Sequence, residues 1–241
     1  MLSLLLVTPA AFAVTIGEHY PPPDGASRTE DDAYGAWLQA LPLRRLGSPI
    51  RTHHGRVVRH DGRPVSLPLV RGDLQQCADS AIRLRAEFAR SRGLEADLSF
   101  HATSGDPLPW GRYAGGERPR AEGNKIVWSR VNPGGQTWDG WLSAVFMWAG
   151  TRSLAAYETT KVETPRAGDM LVEGGSPGHA VVLLDVATRG EQTLLLIGEG
   201  YMPAQDFHVE HGPEAGWWVW SDQGVDLGHW DMPRDSLRRW K

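Results

Sequence analysis

The run Pro165-Arg166-Ala167-Gly168-Asp169-Met170-Leu171-Val172 passes directly into Gly174-Gly175-Ser176-Pro177-Gly178-His179-Ala180-Val181-Val182-Leu183-Leu184-Asp185. Short apolar runs bounded by Gly and Pro predict a strand, a tight turn and a second, buried strand. The second strand opens on a histidine. A basic ring held at the mouth of a sheet is what a nucleophilic hydrolase needs, and the chain offers one thiol, Cys77, to go with it.

Upstream, Asp73 followed by Gln76 has the spacing of a capping box, and Leu74, Cys77, Ala78, Ala81, Ile82, Leu84 and Phe88 recur at helical period until Gly93. Cys77 is placed about four residues into that helix, on its apolar face. Trp141, Leu142, Val145, Phe146 and Ala149 mark a second helix ending near Gly150. Between the helices lies a Gly-, Pro-, Arg- and Trp-rich stretch of little periodicity, where an insertion or lid would sit. Helices first and an antiparallel sheet second predict an α+β fold. The expected division is a signal peptide over 1–13, an extended leader over 14–32 and a single α+β domain over 33–241.

The signal-peptide expectation rests on the apolar stretch from Leu2 that ends Ala11-Phe12-Ala13, the small-x-small shape of a processing site, and it places the mature protein in the periplasm or outside the cell. Its 241 residues suffice for one sizeable core. A net charge of −4, well mixed along the chain, argues against nucleic acid or an anionic membrane surface as partner. No other stretch reaches the ~20 apolar residues of a membrane span. A single cysteine forms no internal disulfide, so an exported chain either buries that thiol or uses it.

Taken by itself Cys77 fits core packing as well as catalysis, because free cysteines are among the most buried residues. His179 follows a Gly/Pro turn, which places its ring at a rim. If Thr188 to Gln192 form the hairpin loop, Ala187 opposes Thr193, His179 opposes Tyr201, and Glu199 lies diagonal to His179 on the same face. Glu199 is then the group that orients the ring. A loop one residue shorter or longer turns Glu199 away. Asp185 shares the face but lies about 20 Å along the strand at ~3.3 Å per residue. Tyr201 and Gln205 follow Glu199 and are placed to line a cleft. The 11 tryptophans supply either core packing or stacking platforms, with Trp110 and Trp128 as the candidates for the cleft. His53-His54 and Asp206-x-His208-x-x-His211 are dense in ligand atoms but lack zinc-site spacing, and they read as solvated loop histidines. Neither a metal nor another cofactor is expected.

The Gly-Asp-Met-Leu-Val and Gly-His-Ala-Val-Val-Leu-Leu-Asp pattern resembles the second half of papain-like hydrolases of the NlpC/P60 and CHAP kind. That resemblance implies a helix carrying Cys77 as nucleophile, packed on an antiparallel sheet carrying His179 as base with Glu199 as orienter. It further implies cleavage of an amide bond in a peptide or in peptidoglycan. A glutamine upstream of the thiol serves the oxyanion in such enzymes, which makes Gln76 a candidate, although Gln76 also fits a helix cap. A second resemblance covers most of the chain. Tyr34-Gly35-Ala36-Trp37-Leu38, Asp73 to Asp79, Phe100 to Gly105, Ala149 to Leu154, Gly168 to Asp185 and Tyr201 to Asp206 are similar in combination to the bacterial family called domain of unknown function 4846. It implies no activity. The expected protein is a monomeric thiol hydrolase acting on a peptide or cell-wall ligand, or else a non-catalytic cell-envelope binding module on the same scaffold.

Overall fold

The computed structural model describes residues 14–131 and 134–241, so the expected signal peptide lies outside the described residues. It is a mixed α+β structure built on one antiparallel sheet. In chain order the strands of that sheet are β1 (Ser27–Arg28), β2 (Arg63–Pro64), β3 (Thr159–Lys161), β4 (Met170–Glu173), β5 (His179–Arg189), β6 (Gln192–Glu199), β7 (His208–Val209), β8 (Trp217–Trp220) and β9 (Leu237–Trp240). They lie in the spatial order β2-β7-β6-β5-β4-β9-β3, with β1 added to β5 and β8 to β6. The helices among the described residues include α1 (Ile16–His19), α2 (Ala33–Gln39), α3 (Cys77–Ser91), α4 (Trp110–Ala114) and α5 (Trp138–Trp148). No helix among the described residues is long and apolar enough to cross a membrane.

Both faces of the central strands are covered, which is why β5 reads as an almost unbroken apolar run. Ala180, Val182 and Leu184 face a core shared with Ile82, Leu84, Trp141 and Leu142 of α3 and α5. Val181, Leu183 and Val186 face a second core with Leu195, Ile197, Trp220 and Met232. The short hairpin of Gly224–Asp226 and Asp231–Pro233 closes over this second face.

The hairpin between β5 and β6 differs from the expected register and then recovers it. A positive φ of 60° at Gly190 lets Gly190 and Glu191 alone make the turn, so Arg189 pairs with Gln192 and Thr188, not Ala187, faces Thr193. Carried to the end of the strand, that one-residue slip would point Glu199 away from His179. A β-bulge restores the pairing: Leu196 faces Asp185, but Ile197 faces Leu183, leaving Leu184 as the extra residue. Beyond it Gly198 faces Val182, which is the expected register. The bulge also corrects the position of Asp185. It leaves the His179 face, receives Arg28 Nε at 2.6 Å and Gln39 Nε2 at 3.0 Å, and ties α2 and β1 to the sheet.

Residues 14–32 are therefore more than an extended leader. Ile16 is fully buried, Thr15 and Glu18 form a capping box, and Ser27 and Arg28 pair with Thr188 and Ala187. The Trp-rich stretch between the long helices also has structure. Ser99–His101 pairs with Pro107–Pro109, and Glu117–Glu122 with Lys125–Arg130, around an aromatic cluster of Trp110, Trp138 and Trp141.

Candidate active site

Helix α3 starts at Cys77 itself, three residues later than the Asp73 cap implied. Gln76 is the residue before it, and the Asp79 carboxylate accepts the Gln76 backbone N–H at 3.1 Å. Asp73 instead accepts the Ala204 N–H at 2.6 Å and pins the loop after β6. The thiol thus sits in the first turn of a helix of 15 residues, where backbone N–H groups lack intrahelical partners and the helix dipole favours negative charge. Cys77 is half-buried at the edge of the first core.

Glycine at position 200 lets this helix start abut the end of β6. A Cβ there would lie 2.3 Å from Ser80 Oγ and 3.1 Å from the Gln76 carbonyl oxygen. Gly200→Ala is expected to push α3 off the sheet, at a cost of about 1–3 kcal/mol for overpacking. Urea denaturation and the labelling rate of Cys77 measure it; wild-type values in both would refute the close-approach argument.

His179 opens β5 and is 1% exposed. Its Nε2 lies 2.7 Å from Glu199 Oε2, with both side chains buried, and its ring packs 5.3 Å from Tyr201 and 5.1 Å from Trp230. The expected diagonal pairing of His179 with Glu199 is present, reached through the bulge. Burial disfavours the imidazolium, but interaction with the Cys77 thiol and with the Glu199 carboxylate outweighs it and raises the His179 pKa to about 9. Since Nε2 is taken by Glu199, Nδ1 is the nitrogen left for the thiol; no hydrogen bond of regular geometry joins the two among the described residues.

Glu199 is 2% exposed, and burial alone would raise its pKa. Hydrogen bonds from His179 and His229 reverse that and hold it below the usual carboxylate range. His229 Nε2 stands 3.1 Å from Glu199 Oε1, and His208 Nε2 stands 4.0 Å from the same oxygen. Three imidazoles therefore surround one carboxylate. The His229 pKa is raised, chiefly by its hydrogen bond to Glu199.

The other expected site residues divide. Tyr201 lies at the site, in ring contact with His179 and His229. Gln76 adjoins Cys77, with its amide 3.5 Å from Asp73 Oδ1. Gln205 is buried and bridges Thr52, away from the His179 contacts. Trp110 and Trp128 do not join the thiol. Trp110 packs on Trp138, whose Nε1 donates to Glu87 Oε1 at 2.9 Å, ten residues along α3 from Cys77 and so about 15 Å away at 1.5 Å per residue. Trp128 donates to the Pro107 carbonyl beneath Arg112. Both rings are partly buried against the first core.

Sequence reasoning missed His229, His208, Glu210 and His60. His208, expected in solvent, is fully buried on β7, directly opposite Glu199. Its Nε2 lies 2.8 Å from Glu210 Oε1. The signal available was the alternation His208-Val209-Glu210, which sets two polar groups on one face of a strand, and Gly228-His229, a second Gly-His pair like Gly178-His179. A separate cavity of about 520 Å³, walled by Tyr34, Arg85, Asp169, Arg239 and Trp240, contains no thiol and no histidine.

The family model described as domain of unknown function 4846 matches residues 16–239, and the chain belongs to that family. No curated protein and no solved structure matches it.

Proposed function

We propose that this member of the domain of unknown function 4846 family is a papain-like thiol hydrolase that cleaves an amide bond in a peptide or in peptidoglycan. The observation that carries the reading is a thiol in the first turn of a long helix beside a histidine whose far nitrogen is held by a buried carboxylate. These are the parts of covalent catalysis: nucleophile, base and orienter. The order of elements, a thiol-bearing helix before the paired strands β4, β5 and β6, of which β5 carries the base, also supports the papain-like assignment.

In the proposed reaction Cys77 Sγ bonds to the amide carbonyl carbon while the His179 imidazolium gives its proton to the departing nitrogen, and the C–N bond breaks. Water then gives a proton to His179 and attacks the thioester carbon; the C–S bond breaks and the acid product leaves. Glu199 stays ionised throughout and fixes the ring. First-turn N–H groups of α3 face the developing oxyanion, with the Gln76 amide as a second donor. Export to the periplasm or beyond is part of the proposal and rests on residues 1–13.

Incubating the protein with synthetic muropeptides and unmodified peptides, and resolving the products by mass spectrometry, tests the reading. Wild-type protein is expected to release new amine ends and Cys77→Ser to release none, with unchanged folding. Full turnover by Cys77→Ser removes the thiol mechanism. A thiol that is labelled only after unfolding, with no turnover, favours the cell-envelope binding module instead.

A further inference from the structure

His208 is the most deeply buried imidazole of the cluster, and its hydrogens are fixed by what surrounds it. Nδ1 lies 2.9 Å from the Asp206 carbonyl oxygen, which only accepts. Nε2 lies 2.8 Å from Glu210 Oε1, a carboxylate that also accepts when ionised. With the Glu210 carboxylate ionised, both nitrogens carry hydrogen and the ring is an imidazolium paired with Glu210, itself 2% exposed. Burial opposes that charge, while Glu210 and Glu199 raise the His208 pKa against it.

His60 completes the arrangement. The Gly62 N–H donates to His60 Nδ1 at 3.0 Å, which leaves the hydrogen on Nε2, facing Glu210 Oε2 at 3.4 Å. A Cβ at Gly62 would lie 2.4 Å from His208 Cδ2, so only glycine lets this loop close over the ring. The His60 side chain is 28% exposed and opens the pair to solvent. Ligand atoms of His60, His208 and Glu210 lie within 4.8 Å of one another, close enough for a divalent cation. His60 Nδ1 accepts the Gly62 N–H, so its Nε2 carries the hydrogen and offers no lone pair, which leaves His208 and Glu210 as two ligands where a metal site needs three or four.

Resting on the reading of Cys77, His179 and Glu199 as the reacting group, we propose that His208 and Glu210 are positioning residues that act through Glu199. The His208 imidazolium stands across the strand pair from Glu199, 4.0 Å from its Oε1, and holds that carboxylate, already hydrogen-bonded by His179 and His229, aimed at His179. The groups that face this pair are His179 and His229 on Glu199 and His60 on Glu210; Arg63 pairs with Val209 on the other face of the strand, and Arg44 is bonded to the Asp206 carboxylate. Removing a charge within ~4–6 Å shifts a titrating group by about one pH unit or more, and a Glu199 no longer aimed at His179 passes that loss to the thiol–imidazolium pair, which sets the expected size of the effect.

The test is the pH profile of Cys77 alkylation by iodoacetamide in wild type, Glu210→Gln and His208→Gln, with His179→Ala alongside. Both variants are expected to move the acid limb up by about one pH unit, a tenfold slower labelling on that limb, with an unchanged plateau. Glu210→Gln keeps the shape of the site and decides the matter if His208→Gln fails to fold. Superimposable profiles in wild type and Glu210→Gln, with a wild-type limb that depends on His179, overturn the positioning role alone. A wild-type profile independent of His179 overturns the underlying reading and the proposal with it. Imidazole ¹⁵N shifts of His208 are expected to report two protonated nitrogens at pH 7; a singly protonated ring, or stoichiometric zinc lost in His208→Gln, also overturns the proposal.

Discussion

Alanine at His179 is expected to slow the alkylation of Cys77 at pH 6 by roughly 100-fold. An unassisted thiol of pKa about 8.5 is only about 0.3% thiolate at that pH, so fast labelling there requires a cation beside the sulfur. His179 supplies one, because its pKa of about 9 keeps the ring charged well above pH 6. Near pH 9 and above the difference shrinks, since the ring loses its proton and an ordinary thiol ionises unaided. Stopped labelling with iodoacetamide and mass spectrometry of the Cys77 peptide, over pH 5 to 9, measures it. Equal rates for wild type and His179→Ala at pH 6 would mean that the two groups do not act together.

Glu199→Gln is expected to cost about 3–5 kcal/mol of stability, the range for removing one partner of a buried ion pair. The glutamine amide cannot balance the imidazoles of His179, His229 and His208 that converge on this position. The sign of the pH dependence follows from the two partners. His179 is raised from 6.5 to about 9, so its contribution is fully present below pH 6.5 and is lost as pH rises through about 9. Glu199 is lowered from 4.5, so its contribution is present above pH 4.5 and is lost as pH falls through its folded value. The deficit is therefore largest between pH 4.5 and 6.5 and nearly gone above about pH 9. Urea midpoints at pH 5.5 and pH 9.5 are the measurement. A deficit of the same size at both values would show that Glu199 acts by shape and not by charge.

Much of this arrangement was legible in the linear chain. The Gly- and Pro-bounded apolar runs gave β4, β5 and β6, and helical spacing gave α3 with Cys77 on it, because turn chemistry and hydrophobic period are encoded within some 20 neighbouring residues. Cys77, His179 and Glu199 could be named for the same reason: each stands at the start or end of an element that local pattern defines. The choice of Glu199 nevertheless rested on a loop length that does not occur. Gly190 and Glu191 make a shorter turn, and the bulge at Leu184 repairs the register, so two local details cancel. Nothing within β5 announces that bulge, because Leu184 and Asp185 are set by what packs on them: Leu184 in the first core, and Asp185 against Arg28 and Gln39.

The second layer of the site was beyond the reach of local pattern. His60, His208 with Glu210, and His229 come from three segments separated by loops, and only the pairing of β2 with β7 and of β7 with β6, together with the closure of the 224–233 hairpin, brings them to Glu199. Trp110 and Trp128 show the converse. Their aromatic character was plain, but Trp110 packs on Trp138 and Trp128 on Pro107 and Arg112, away from the thiol. The sequence by itself determined which segments are strands and helices and which residues stand at their ends, since those depend on short-range sterics, caps and periodicity. The tertiary structure alone decided which of those ends meet, because register, bulges and the burial of charged groups are settled by contacts between residues far apart in the chain.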